Sequence, residues 1–220
     1  MDEVKKILKE IIFPKHVEIE VLELKDFNEK GLPEEEKIIA HAAATRKKEF
    51  RSGRYCARKA LEKLGITNTP ILFESNRAPI WPDGFSGSIS HTKELCIGIA
   101  CKKEHSPSLG VDIENLGRVK EKLWKAILRN NEQDYLLSLP KAEREDIASL
   151  IFSIKECFYK YQYPLTQKWL GFLDAEVEIS LDKNTFHIKL LSDQLDPLKL
   201  EQSFNGKFAF IKGLVVSGMA

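Results

Sequence analysis

Helical and extended patterns are interspersed along this chain of 220 residues, without the regular strand–helix repeat of a doubly wound parallel sheet. Apolar periodicity predicts helices over 34–64, 118–137 and 143–163. Alternation and short apolar runs predict strands at 17–24, 71–74, 88–92, 95–101, 109–114, 175–181, 186–191, 208–213 and 214–218. The interspersed order predicts an α+β fold, with a weak domain boundary near residues 103–108.

Composition excludes several classes of protein. The chain carries 34 basic and 33 acidic residues, and this balance excludes an overall cationic surface for wrapping nucleic acid. The four cysteines form no CxxC pair, which favours free thiols in a reducing compartment over a disulfide framework or a zinc site. No run approaches the ~18 apolar residues of a membrane span, and the N-terminus lacks the apolar stretch of a signal peptide. We therefore expect a cytoplasmic protein.

Positive charge is concentrated in one segment. Residues 46–63 hold eight basic and two acidic side chains. Helical spacing places Arg51, Arg54 and Arg58 within about 60° of one another, and their guanidinium groups repel unless an anion lies between them. This segment predicts an anion site of limited size, such as one for a phosphorylated small molecule. A solvated basic face is an equally good interpretation of the spacing alone.

Two acidic patterns suggest a cation. In LGVDIE, Asp112 and Glu114 lie on one side of a strand, so one hard cation such as Mg²⁺ can bridge them. A strand with a solvated acidic face is the commoner explanation of this pattern. In FSIKECFYKY, Glu156 and Lys160 lie one helical turn apart and face away from the apolar stripe. A simple exposed ion pair is the alternative there.

A third candidate is the pair Ser90 and His91 in GSISHT, because both side chains can donate hydrogen bonds to a phosphate. A lone histidine at a strand end is more often structural. The sequence contains no GxxxxGK[ST], GxGxxG, GxSxG or HExxH motif, so nucleotide loops, serine triads and zinc-helix proteolysis lose their usual support. The residues alone indicate metal-assisted chemistry on an anionic phosphate ligand.

Taken in order, four motifs resemble the 4′-phosphopantetheinyl transferases of the surfactin type, and within them the enterobactin-synthase-like branch. They are GRYCARKAL, RAPIWPDGFSGSISHT, GVDIE, and FSIKECFYKYQYPLT with LGFLDAEVEI behind it, covering about residues 46–180. The resemblance implies a pseudo-two-fold arrangement of two similar α+β halves, which we place at 1–105 and 106–220. It implies transfer of 4′-phosphopantetheine from coenzyme A to a serine of an acyl or peptidyl carrier protein, with release of adenosine 3′,5′-bisphosphate.

The same resemblance implies residue roles. Mg²⁺ would be bound by Asp112, Glu114 and Glu156, and Glu156, Lys160 and Asp112 would be the catalytic residues. The coenzyme A ligands would be Arg46, Arg54, Arg77, Ser90, His91 and Lys160. Arg58, with Arg51, is added to that set from helical geometry alone.

The alternatives differ in chemistry. A metal-dependent phosphohydrolase would use the same carboxylates and arginines, and a non-enzymatic coenzyme A-binding module would need only the basic residues. The motif order favours the transferase, and the resemblance implies an apo carrier protein as its partner. The enterobactin-like segments YPLT and WPDG favour a role in siderophore or secondary-metabolite synthesis. A chain of two similar halves has little need of a second copy, so we expect a monomer.

Overall fold

A computed structural model describes residues 2–74, 76–191 and 204–220. Helical turns at Leu8–Ile12, Glu121–Leu123 and Phe172–Asp174 accompany the main elements. The helices are α1 (Asp2–Ile7), α2 (Pro33–Ile38), α3 (Ala44–Glu62), α4 (Trp124–Ile127), α5 (Asn130–Ser138) and α6 (Arg144–Thr166). The strands are β1 (Glu18–Glu23), β2 (Phe85–His91), β3 (Leu95–Lys102), β4 (Gly110–Asn115), β5 (Ala175–Ser180), β6 (Thr185–Leu190), β7 (Phe204–Ile211) and β8 (Leu214–Met219).

The strands form two antiparallel sheets, one of order β1-β3-β2 and one of order β4-β8-β7-β6-β5. The edge strands β2 and β4 lie beside each other, so the two sheets meet there. Helices and antiparallel sheets in this arrangement confirm the α+β class. The pseudo-two-fold relation between halves stays a prediction.

One long helix covers each sheet. Helix α3 packs on β3 and β1 through a buried face that includes Ala57 and Leu61. Helix α6 packs on β4 and β8 through Leu150, Ile154 and Phe158, all fully buried. Burial of each such large apolar side chain stabilises the fold by about 1.5–3 kcal/mol, so both helices are firmly held where they border the site described below.

A glycine allows α6 to lie directly against β4. A Cβ atom added at Gly110 would come 2.3 Å from the carbonyl oxygen of Cys157, a distance that no side chain could occupy. The close approach brings the outer turn of α6, with Glu156 and Lys160, next to Asp112 on the strand. The glycine of GVDIE is therefore needed for packing.

Three predicted elements differ from the structure. The helix predicted over 34–64 is interrupted at 39–43, so that α2 folds back and its carboxylates reach α3. The helix predicted over 118–137 is broken at Leu128, which is extended with φ −109° and ψ 137°. The strand predicted at 71–74 forms only one bridge, Phe73 with Pro79, because the chain reverses immediately at Arg77, where φ is +73°. The remaining predicted strands and α6 are confirmed.

Two expectations from composition concern the cysteines and membrane-spanning helices. All four cysteines are free thiols buried in the core, and burial raises the pKa of Cys101 and Cys157. Across the described residues, no helix combines the length and apolar character needed to cross a bilayer. The thiols are unpaired, as the sequence predicted.

Candidate active site

A cleft of about 350 Å³ lies where α3, the 76–81 segment, β2 and the C-terminal part of α6 meet. The residues from α3, the 76–81 segment and β2 make up its basic side: Arg46, Arg54, Arg77 and His91, with Glu49 beside Arg46. Helix α6 contributes Glu156 and Lys160 to the lining. Aromatic rings complete the wall: Phe50, Trp81, Tyr159, Tyr163 and Trp169. The cleft thus offers cationic groups that can bind phosphates and flat aromatic surfaces that can contact a nucleobase or an acyl-like chain.

Asp112 is a buried carboxylate beside this cleft, 3% exposed. Its Oδ1 accepts hydrogen bonds from the Ser90 hydroxyl at 2.8 Å and from Lys160 Nζ at 2.7 Å. Its Oδ2 is also buried and has no hydrogen-bond partner within the described part of the chain. A buried carboxylate oxygen without a partner is unfavourable, so this atom is available for a ligand that the chain itself does not provide.

Lys160 links the helix to the strand. Besides Asp112, its Nζ donates to the carbonyl oxygen of Val111 at 3.1 Å. Burial works to lower the pKa of this ammonium, but the charge and hydrogen bond of Asp112 more than offset it, so the pKa of Lys160 is raised. An ammonium group has three donors, and the third can serve a ligand in the cleft.

The pKa values of Glu114 and Glu156 are both raised. Burial, and then the charge of Asp112, raise the pKa of Glu114 to about 7, although Arg118 contacts its carboxylate at 3.0 Å. Burial is also the largest cause of the raised pKa of Glu156, with Asp112 adding to it against the opposing effect of Lys160. Burial is thus the main cause of both raised pKa values, and the negative charge of Asp112 adds to each of them.

The predicted metal site is only partly formed. Within the described ranges, no group of three histidine, cysteine, aspartate or glutamate side chains is arranged to hold a metal ion. Asp112, Glu114 and Glu156 as the metal ligands therefore stay a prediction, and in this structure Lys160 contacts Asp112 and Arg118 contacts Glu114. The chemistry nevertheless fits Mg²⁺: oxygen ligands, an unpartnered Asp112 Oδ2, and carboxyl groups whose raised pKa values a cation would lower.

The basic side of the cleft is not uniform. Arg54 is buried, its Nε donates to the carbonyl oxygen of Ile71 at 2.7 Å, and burial lowers its pKa to about 10. Arg46 and Arg77 are exposed, and the former is 3.4 Å from Glu49. Burial lowers the pKa of His91, which favours the neutral ring near pH 7. Arg46 and Arg77 are thus the two solvent-exposed arginines of the cleft lining.

The structure corrects the argument made from helical spacing for Arg51 and Arg58. Arg51 donates to both carboxylate oxygens of Glu36, and Arg58 donates to the fully buried carboxylate of Glu35. Neither arginine lines the cleft. Their charges are balanced by α2, so they need no external anion.

The Arg51 pair makes a prediction about stability and pH. The hydrogen bonds of Arg51 lower the pKa of Glu36 from 4.5 to about 2. The pair therefore stabilises the folded protein above pH 4.5, and this contribution is lost as the pH falls through about 2. We expect Arg51→Gln to lower the free energy of unfolding at pH 7 by about 1 kcal/mol or less, and by a smaller amount at pH 3.

Urea denaturation of both proteins at pH 7, 4 and 3 measures this difference. The control is Lys59→Gln on the same helix, which removes a more exposed ion pair with Glu62. An Arg51→Gln effect that stays constant or grows on acidification would contradict the assignment.

Three residues in or near the site have contacts or positions that the sequence did not indicate. The hydroxyl hydrogen of Ser90 is directed at Asp112, so the structure gives this serine a protein partner where the sequence suggested a phosphate. Lys155 was not singled out, yet its side chain is fully buried on the core-facing side of α6. Its position between Ile151 and Phe158 in the apolar stripe was the available signal. Trp169 lines the cleft and is 76% exposed. It belongs to no periodic apolar pattern, so nothing in the sequence indicated its position.

Comparison with known proteins identifies the family of this chain. The profile of the 4′-phosphopantetheinyl transferase N-terminal domain matches residues 34–101, and that of the 4′-phosphopantetheinyl transferase superfamily matches residues 108–209. The 4′-phosphopantetheinyl transferase Svp of Streptomyces mobaraensis is 35% identical over 86% of this chain and 77% of its own length.

Two further relatives match this chain to different extents. The 4′-phosphopantetheinyl transferase PptT of Mycobacterium tuberculosis is 32% identical over 86% of this chain and 85% of its own length. Enterobactin synthase component D of Salmonella typhimurium matches over 59% of this chain, so the branch suggested by the motifs is a more distant relative. The chain is a member of the 4′-phosphopantetheinyl transferase superfamily.

Proposed function

We propose that this enzyme transfers 4′-phosphopantetheine from coenzyme A to a serine hydroxyl of an acyl or peptidyl carrier protein, in a Mg²⁺-dependent reaction that releases adenosine 3′,5′-bisphosphate. The observation that carries the proposal is a single cleft lined both by the basic residues and by Glu156 and Lys160, with Asp112 bonded to Lys160. A diphosphate with a further phosphate at one end matches such a distribution of charge.

The basic side would bind the phosphates of coenzyme A. Arg46 and Arg77 are exposed at the cleft and can each contact two phosphate oxygens. Arg54 would add its charge from a buried position, where its bonds to Ile71 and Leu72 keep the guanidinium fixed. His91, kept mostly neutral by burial, would donate one hydrogen bond.

Glu156 would act as the base. A serine hydroxyl is a weak nucleophile near pH 7 until a neighbouring group takes its proton. Burial raises the pKa of Glu156, which makes this carboxylate a stronger base than an exposed one, and it lies at the cleft surface. Lys160, one turn further along α6, would stabilise negative charge on the departing phosphate with its remaining donor.

The metal would be held by Asp112 and Glu114, with Glu156 nearby. When bound, Mg²⁺ supplies positive charge to the diphosphate oxygens and so favours departure of the nucleotide. The support for this ligand set is the unpartnered Oδ2 of Asp112 and the raised pKa of Glu114.

Intact-mass analysis of apo carrier proteins tests the proposal. After incubation with the enzyme, coenzyme A and Mg²⁺, we expect the carrier to gain the mass of one phosphopantetheine group, and chelation to prevent the gain. Rapid consumption of coenzyme A without a carrier would indicate a phosphohydrolase instead. Coenzyme A binding that leaves carrier and coenzyme unchanged would indicate a binding module.

The carrier would dock beside the carboxylates. The 118–125 segment begins at Arg118, which contacts Glu114, and it presents the exposed Lys122. Carrier domains are usually acidic, so we expect Lys122→Glu to raise the KM for carrier about 3–10-fold at low salt without changing the KM for coenzyme A.

Steady-state kinetics with each substrate varied in turn measures this effect. Lys183→Glu, an equal charge reversal in the turn after β5, is the control. Equal effects of the two reversals on the carrier KM would count against docking at this segment. Lys120 is unsuitable because its Nζ already contacts Glu145 at 2.6 Å.

We extend the proposal to a monomer that works in the cytoplasm, with halves at 1–105 and 106–220. The monomer is supported by the cleft itself, because one chain supplies both the basic side and the Glu156 side. The cytoplasmic location is supported by the four unpaired thiols.

A further inference from the structure

Three serines alternate along β2 on the side that faces β4. Ser86, Ser88 and Ser90 are each no more than 5% exposed. The Ser88 hydroxyl accepts the N–H of Val111 at 3.1 Å, and the Ser90 hydroxyl accepts the N–H of Ile113 at 3.2 Å. Side-chain oxygens therefore satisfy the outward N–H groups of β4 at the junction of the two sheets, where a neighbouring strand would ordinarily do so.

Ser90 differs from Ser88 in one contact. Its hydroxyl also donates to Oδ1 of Asp112 at 2.8 Å, and that same oxygen accepts Lys160 Nζ at 2.7 Å. A serine has a single O–H donor, so Ser90 cannot give this hydrogen to a phosphate while the contact to Asp112 persists.

Two donors on one oxygen determine where the other oxygen points. The χ2 torsion of aspartate is broad and roughly two-fold, so an unrestrained carboxylate rotates easily. With Oδ1 held by Ser90 from β2 and Lys160 from α6, Oδ2 has a fixed direction, and it is the oxygen without a hydrogen-bond partner in the described residues.

We propose that Ser90 is a positioning residue that directs Oδ2 of Asp112 toward the divalent cation. This inference rests on the Mg²⁺-dependent reaction proposed above. Groups that hydrogen-bond a metal-binding carboxylate typically change metal affinity by about 10–100-fold when removed. Ser90→Ala should therefore raise the dissociation constant for Mg²⁺ by about 10–100-fold.

Ser88→Ala is the matched control, since it removes a buried hydroxyl and a bond to β4 from the same face of the same strand. Calorimetric titration of the full chain with Mg²⁺ alone gives the affinity without reference to turnover. The ratio of kcat/KM for coenzyme A to that for 3′-dephospho-coenzyme A reports contact with the 3′-phosphate. Ser90→Cys preserves side-chain size with a weaker donor and serves if the alanine variant does not fold.

We expect weakened Mg²⁺ binding in the Ser90 variant, unchanged Mg²⁺ binding in Ser88→Ala, and a wild-type ratio for the two coenzymes. Equal Mg²⁺ affinities in the two variants would overturn the inference. So would loss of discrimination between the coenzymes in the Ser90 variant with Mg²⁺ binding intact. A wild-type protein that transfers nothing to any carrier refutes the proposed function instead, so the two failures are distinguishable.

Discussion

Asp112→Asn is expected to slow phosphopantetheine transfer by at least about 10²–10³-fold while the protein stays folded. Asparagine keeps an oxygen that can accept the hydrogen bonds of Ser90 and Lys160 at the Oδ1 position. It replaces the unpartnered Oδ2 with an amide nitrogen, which cannot bind a metal ion, and it removes the negative charge. The variant thus separates the chemistry of this side chain from its structural contacts.

Transfer rates at saturating coenzyme A, carrier and Mg²⁺ measure this effect, with thermal unfolding as the test of folding. Asp182→Asn, an exposed aspartate in the turn after β5, is the control for the chemical change itself. Near-normal transfer by a folded Asp112→Asn protein would show that Asp112 is not part of the catalytic machinery. Loss of transfer that merely follows loss of folded protein would show a structural role.

Apolar periodicity was sufficient to predict the helices and strands that pack against the core along their whole length. Helix α6 follows its apolar pattern closely because it buries one continuous face, and the predicted strands of the five-stranded sheet are also found, although β4 and β8 are buried on both faces. The break between α2 and α3 could not be read in the same way. The helix-favouring residues there continue past Ile38, and the chain turns because Glu35 is buried against Arg58, 23 residues away.

The same limit applies to the site. Several side chains that the motifs singled out line one cleft: Arg46, Arg54, Arg77, His91, Glu156 and Lys160. Their partners come from other elements: Lys160 bonds to Asp112 across 48 residues, and Ser90 across 22. Spacing within a single helix or strand contains no information about such contacts, so the pairing of Arg51 with Glu36 was also missed.

Lys155 is the clearest example of contacts that spacing along one helix cannot predict. It lies five residues before Lys160 on α6, but its role is structural. Its side chain is fully buried, and its Nζ donates to Glu132 at 2.7 Å and to the carbonyl oxygens of Ile127 and Phe172 at 2.9 and 2.8 Å. All three donors of the ammonium are therefore used inside the protein. The other oxygen of Glu132 accepts the N–H of Val177, so this pair ties α6 to β5.

Lys155→Met is expected to lower the free energy of unfolding by about 3–5 kcal/mol, because it leaves the Glu132 carboxylate buried without its counter-charge. Urea denaturation measures the loss, and Lys183→Met, at an exposed lysine, should cost little. Adding Glu132→Gln removes the orphaned charge and should recover part of the stability. Equal costs for the two lysine variants would contradict a buried ion pair. Molecules of Lys155→Met that remain folded should still catalyse transfer, because Lys155 reaches neither the cleft nor Asp112 and its contribution ends with holding α6 in place.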